Sequence, residues 1–192
     1  KARFDGHVAR AVARFLGLRY QKKGSFNPVA AFRQISLLPS YDSAVLEDEI
    51  SGEINGVQLR IVEAHLKEER GSGKHKRRVT VFRGLLAEMS FPKNFSGRTL
   101  VTRDKGKLLN FFGAVTKRGQ KVALEDPVFE RLYEVYSTDQ VEARYLLSPG
   151  FMQLAVELAE HFDSGLQLAF DRNRLMLAGP LSEDMFQGGG IR

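Results

Sequence analysis

Residues 46–66 read LEDEISGEINGVQLRIVEAHL. Ile50, Gly52 and Ile54 alternate with charged or polar neighbours, and Val57, Leu59 and Ile61 do the same. That is the two-residue period of a half-buried strand. Between the two runs stands Asn55-Gly56, the strongest short signal for a hairpin, because a type I′ turn puts both central residues at positive φ. The second run continues to Leu66 and opens into 67–78, KEERGSGKHKRR. Strand character resumes from Arg78 to Phe91, with Val79, Val81 and Phe82, then Leu85, Leu86 and Met89. Hairpins in succession build an antiparallel sheet.

On the N-terminal side, Phe4, Val8, Val12, Phe15 and Leu16 are spaced for one face of a helix over Phe4–Leu18, with Arg10, Arg14 and Arg19 on or near the other side. The expected fate of that stripe is packing on the sheet; lying on a membrane surface is the alternative. A second helix is expected over Pro28–Ser36, with Pro28 in its first turn.

On the C-terminal side, Pro92–Gly97 is a turn cluster and Thr99–Thr102 a short strand. Asp104–Lys107 is a further turn, Leu108–Val115 supports strand and helix equally, Lys117–Lys121 is a basic loop, and Val122–Leu124 a brief strand. Asp126-Pro127 begins a helical turn, Tyr133–Tyr136 reads as a strand, and Asp139–Leu147 as a helix turning Val141 and Tyr145 inward. Ser148 can cap a helix whose first position is Pro149. Phe151, Leu154, Ala155, Leu158 and Phe162 then lie on one face, widened by Met152, Val156 and Ala159, which predicts a buried helix over 149–162. Alternation at Leu166, Leu168 and Phe170, and at Leu175 and Leu177, closes the chain with a hairpin before a frayed tail at 187–192. Helices, antiparallel strands, helices and a hairpin in that order give an α+β fold. It is a mainly antiparallel sheet, with the N-terminal helices and the 149–162 helix packed on it. The expected organisation is one domain over 1–192: a helical part to residue 40 and a core over 45–180.

The composition limits the function. A chain of 192 residues that is 43% hydrophobic buries roughly 70% of its unfolded surface. Cysteine is absent, which excludes disulfides, thiolate metal sites and cysteine nucleophiles. The net charge is +6, and residues 67–78, with six basic and two acidic side chains, contribute +4. Nucleic-acid binders spread their cations more widely, among aromatics, so nucleic acid is the least favoured partner. No apolar run nears the roughly 18 residues that span a bilayer. The chain begins at Lys1 without an initiator methionine, and a segment of a longer protein is expected.

Motifs for chemistry are missing. Neither Gly73-Lys74 nor Gly106-Lys107 belongs to a P-loop, and no dinucleotide fingerprint or nucleophile elbow occurs. His7, His65, His75 and His161 are scattered, so neither metal nor cofactor is implied. Two groups of residues stay as candidates. Lys74, Lys76, Arg77 and Arg78 form a basic loop suited to an anionic leaflet, to nucleic-acid phosphates, or simply to water. Asp126, Asp139, Glu142, Arg144 and Tyr145 gather carboxylates, a cation and a phenol within twenty residues. Paired carboxylates do acid–base work when burial separates their pKa values, and otherwise cap helices and solvate turns.

The run 124–152, LEDPVFERLYEVYSTDQVEARYLLSPGFM, with EDEISGEINGV and VFRGLLAEMSFPKNFSGRTLV upstream, resembles the bacterial domain of unknown function numbered thirty-one thirty-seven. The resemblance extends from about Val45 to Pro180. It implies no activity, catalytic residue or cofactor, because that family has none assigned. Its members often carry one or two membrane segments ahead of the domain, which implies tethering at the cytoplasmic side of the bacterial inner membrane, or a cytoplasmic protein. The expectation is therefore a non-catalytic binding or scaffold domain of a membrane-associated bacterial protein, its partner an anionic membrane surface or a protein. A hydrolase-like enzyme with its site at Asp126, Asp139, Glu142, Arg144 and Tyr145 is the alternative.

Overall fold

A computed structural model describes residues 5–103, 119–162 and 165–181. Leu108–Val115, the turn before it and the tail at 187–192 lie outside the described residues. Asn55 and Gly56 take φ of 50° and 80°. Their turn lays β2 (Ser43–Ile54) antiparallel on β3 (Val57–Arg70), with Ile54 opposite Val57. β4 (Arg77–Ser90) returns along β3. At 14 residues each, these two strands are about 45 Å long.

Among the described residues six shorter strands join the sheet: β1 (Arg19–Gln21), β5 (Thr99–Thr102), β6 (Gln120–Val122), β7 (Glu134–Ser137), β8 (Gln167–Asp171) and β9 (Arg174–Pro180). Their order is β1-β2-β3-β4-β9-β8-β5-β7-β6, and every pair is antiparallel. The fold is a mixed α+β one, dominated by this nine-stranded sheet. The decisive long-range pairing is β4 with β9, from Gly84 opposite Pro180 to Ser90 opposite Arg174. It needs a glycine: a Cβ on Gly84 would stand 2.1 Å from the Gly179 carbonyl oxygen.

β9 is buried on both sides, and its alternation divides two cores. Met176 and Ala178 join Phe32, Leu37, Leu66 and Leu86 in one. Leu175 and Leu177 join Phe129, Val135, Met152 and Phe170 in the other. The second core is rich in phenylalanine: the rings of Phe95, Phe151 and Phe91 lie 5.5, 5.4 and 6.2 Å from that of Phe170.

Among the described residues five helices accompany the sheet: α1 (Asp5–Phe15), α2 (Val29–Gln34), α3 (Pro127–Leu132), α4 (Gln140–Leu146) and α5 (Pro149–Ala159). Several faces differ from those expected. In α5 the buried residues are Met152, Ala155 and Ala159, while Leu154 is 61% exposed. Two alanines on the i, i+3, i+7 line leave room for close approach to the sheet, and that turns the leucines outward. α5 also ends at Ala159, short of Phe162, whose ring lies where a Cβ on Gly179 would fall, 2.2 Å away. In α4, Ala143 and the capping residue Leu147 are buried, and Val141 and Tyr145 are 79% and 77% exposed, the reverse of the inward placement expected. At α1, Ala13 and, just beyond the helix, Leu18 are buried, whereas Val12, Phe15 and Leu16 are not. Phe15 in particular is turned to solvent, 89% exposed, rather than into a core.

Candidate functional site

The basic segment is the tip of the β3–β4 hairpin. Its loop is shorter than the sequence suggested, because Arg77 and Arg78 already belong to β4, opposite Arg70 and Glu69. Lys74 sits in a short 3-10 turn, Gly73–His75. Part of the charge is answered locally. Glu69 meets Arg78 at 3.3 Å and Lys76 at 3.8 Å, and Glu68 meets Arg70 at 2.7 Å. All of these side chains are open to water except the half-buried Glu68, so the pairs are individually weak and the tip stays cationic.

The carboxylate group takes a different form. Asp126 is the N-cap of α3 and accepts from the backbone N–H groups of Val128 and Phe129, both at 2.9 Å. Asp139 is the N-cap of α4 and accepts from Val141 at 3.1 Å and Glu142 at 3.0 Å. Its own N–H donates to Ser137 Oγ at 3.0 Å. Glu142, in the first turn of α4, reaches away to the loop before β5, where its two oxygens accept from Ser96 N at 2.8 Å and Gly97 N at 2.7 Å. That loop is pressed close: a Cβ on Gly97 would stand 2.7 Å from Asp139 Cβ. Arg144 and Tyr145 are exposed, and the Lys93 ammonium lies 5.6 Å from the Tyr145 ring centroid. The sequence places Asp139 and Glu142 on one helical face, and the structure does bring them together, but Asp139 Oδ1 and both Glu142 oxygens are occupied by backbone donors.

The acidic run before the first hairpin is divided by a β-bulge, where the register shifts between Glu47 and Ile50 and Asp48 takes φ of 55°. Asp48 accepts from the Tyr20 hydroxyl. Burial and this hydrogen bond push the Tyr20 phenol up to about 12. Glu49 turns inward, only 3% exposed, and accepts from Phe26 N at 2.9 Å with Arg60 3.7 Å away. Arg60 in turn lies over the Phe26 ring, 4.2 Å from its centroid.

Beside this bulge is a feature that sequence reasoning missed. An open cavity of about 520 Å³ is lined by Arg10, Arg14, Gly17, Leu18, Tyr20 and Lys22. The Arg10 guanidinium stands 5.2 Å from the Tyr20 ring centroid. Across Gly17 and Leu18 lies a second cavity of about 570 Å³, where Arg19 and Arg60 meet Ser51, Gly52 and Gln58. The signal was a charge count: 10–23 holds five Lys or Arg and no Asp or Glu. A third cavity, of about 230 Å³, lies between α3 and β7 and is lined by Phe129, Tyr133 and Val135 among others. Its polar groups are paired: Lys121 with Glu134 at 2.9 Å, and Glu130 with Leu124 N at 2.7 Å. Burial pushes the Tyr133 phenol up to about 12. None of Asp126, Asp139, Glu142, Arg144 and Tyr145 lines these three cavities. Among the described residues no group of three or more His, Asp or Glu is placed to hold a metal, and no helix is long and apolar enough to cross a membrane.

Fold and site together define an α+β domain on a broad antiparallel sheet, with its conspicuous carboxylates at helix starts and loop anchors and groups of cations at the β3–β4 tip and around α1 and β1. Residues 80–191 match the model of the family described as protein of unknown function (DUF3137), and the chain belongs to that family. Among solved structures it is similar to the crystal structure of the mycobacterial trehalose monomycolate transport factor A, TtfA. The TM-score is 0.57 at 12% identity, covering 97% of this chain and 87% of that one, a likeness of fold. No curated protein matches the sequence.

Proposed function

We propose that the chain is a non-catalytic binding or scaffold domain that works against an anionic membrane surface, as one unit, at the cytoplasmic side of the bacterial inner membrane. The observation that carries this reading is the use of the acidic residues. Asp126 and Asp139 each spend Oδ1, and Glu142 both of its oxygens, on backbone N–H groups, whereas Arg77 and Arg78 stand exposed at the end of a long hairpin. A general acid or base needs its proton-accepting oxygen aimed at a reacting group, and here those oxygens aim at amides. The helices on the sheet serve in this reading as braces that hold it stiff while loops and tip make contacts. The similar fold is that of a protein described as a transport factor, which supports a role in assisting or positioning others.

Co-sedimentation with vesicles tests the proposal. The chain is expected to bind phosphatidylglycerol-containing vesicles, to ignore pure phosphatidylcholine, and to release as salt rises. Each cation beside an anionic leaflet adds about 1 kcal/mol. Glu69 offsets Lys76 and Arg78, so neutralising Lys74, Lys76, Arg77 and Arg78 together, at about fivefold for each of the other two, is expected to weaken binding about 25-fold. No binding to anionic vesicles at low salt refutes the proposal.

A further inference from the structure

The C-terminal half of α1 presents apolar side chains to solvent. Phe15 is 89% exposed, and Val12 and Leu16 are each 46% exposed. Spaced i, i+3 and i+4, the three form one arc about 100° wide. Ala13 is the residue of this turn that faces the domain, 0% exposed. Arg10 and Arg14, four residues apart, lie on the other flank above Tyr20 and Lys22, in the cavity described above. Arg19 and Lys23 are exposed just beyond. At the hairpin tip Glu68 and Glu69 temper the cations, but no acidic residue interrupts 10–23. Of the carboxylates near this cavity, Asp48 accepts from the Tyr20 hydroxyl, and Glu47 lies close enough to act on the same phenol.

An aliphatic and aromatic arc beside a run of exposed cations is the pattern of an interfacial element, in which the apolar face enters the acyl boundary and long basic side chains reach the phosphates. Nucleic acid gives no use for an exposed Val12–Leu16 pair, whereas a bilayer uses both halves of the pattern. We propose that the α1–β1 surface docks on an anionic bilayer, Phe15 entering the acyl region with Val12 and Leu16, and Arg14, Arg19 and Lys22 holding headgroup phosphates. The inference rests on the membrane-surface reading above and names the part of the chain that makes the contact.

The chain has no tryptophan, so Phe15→Trp supplies a single, unambiguous probe. With vesicles containing phosphatidylglycerol its emission is expected to shift to the blue and to be quenched by brominated acyl chains. Arg14→Gln, Arg19→Gln and Lys22→Gln together are expected to lower partitioning onto those vesicles roughly a hundredfold, at about fivefold per cation. Val12→Gln, Phe15→Gln and Leu16→Gln together are expected to lower it at least about tenfold at every salt concentration, since apolar insertion is not screened. Thermal melts confirm that the surface variants remain folded, and if one does not, the Phe15→Trp arm decides. Emission that does not move on vesicles the chain binds overturns the inference. So does binding lost on neutralising the hairpin tip but kept by both α1 variants, an outcome that leaves the proposed function standing. Loss of self-association rather than of vesicle binding in the apolar variant also overturns it, making the arc a contact between copies. Failure of the unaltered chain to bind any anionic vesicle overturns the proposed function itself.

Discussion

Replacing Glu142 separates a structural carboxylate from a catalytic one. Its oxygens take the amides of Ser96 and Gly97 at 2.8 and 2.7 Å and tie the start of α4 to the loop between β4 and β5. A hydrogen bond to a charged group contributes about 1.5–3 kcal/mol. Ser96 is open to solvent, so its share lies at or below the lower end, and the pair together contributes about 3 kcal/mol. For a chain of this length each kcal/mol moves the melting midpoint by about 2–4 °C, and Glu142→Ala is expected to lower it by about 6–12 °C. Glu142→Gln keeps one acceptor but turns an amide donor toward the other N–H, and is expected to recover about half of that loss. Calorimetry measures the midpoint, while amide hydrogen exchange reads Ser96 and Gly97 directly; both amides are expected to exchange faster in either variant. A midpoint within about 2 °C of the unaltered chain, with protection at those amides unchanged, refutes the clamp and returns Glu142 to the candidates for chemistry.

Asp126→Ala and Asp139→Ala each remove an N-cap and are expected to cost about 1 kcal/mol in urea unfolding, with no further loss when each is changed to Ser instead. Gly84→Ala drives a methyl group into the Gly179 carbonyl oxygen, where no side chain can yield, and is expected to lower the urea midpoint by the equivalent of about 3 kcal/mol or to prevent folding. Tyr133, pushed up by burial to about 12, holds its proton more tightly folded than unfolded, where a phenol titrates near 10. Its contribution to stability is therefore whole below about pH 10 and is lost as pH rises toward about 12. Tyr133→Phe is expected to flatten the alkaline limb of a stability–pH curve; an unchanged limb contradicts this.

Local chemistry made the hairpins legible. Asn55-Gly56 announces a turn whose positive φ values are read directly from residue type, and the β8–β9 hairpin follows from alternation on either side of Arg172 and Asn173. Ser148-Pro149 marks the start of α5 for the same reason: Ser148 Oγ accepts from Phe151 N. Faces of short helices were harder. With seven residues in α4, hydrophobic spacing is a poor guide, because Ala143 is the residue that packs and Tyr145 is free to face outward. Beyond the hairpins the order of strands was not legible, since nothing near β4 or β9 states that they pair. For the candidate site, residue type gave the cluster around Asp139 but not its use, which depends on the amides of Ser96 and Gly97, more than forty residues away. At α1 the apolar stripe and its arginines were legible, but not that Phe15 stays exposed or that Tyr20 and Lys22 join Arg10 and Arg14 in one cavity, because both depend on where β1 pairs.

The junction of β4 with β9 has a consequence for how the protein is made. β3 leaves the ribosome just before β4 and can pair with it at once, but the strand for the other edge of β4 is translated some ninety residues later. Until Arg174–Pro180 emerges, the first half of the polypeptide is a long meander with one bare, hydrophobic margin. Strand margins of that kind recruit strands from other chains. The nascent protein thus passes through a stage in which its largest hazard is a neighbour on the same messenger, and the final hairpin ends that stage by occupying the margin. Any truncation before Arg174 makes the stage permanent.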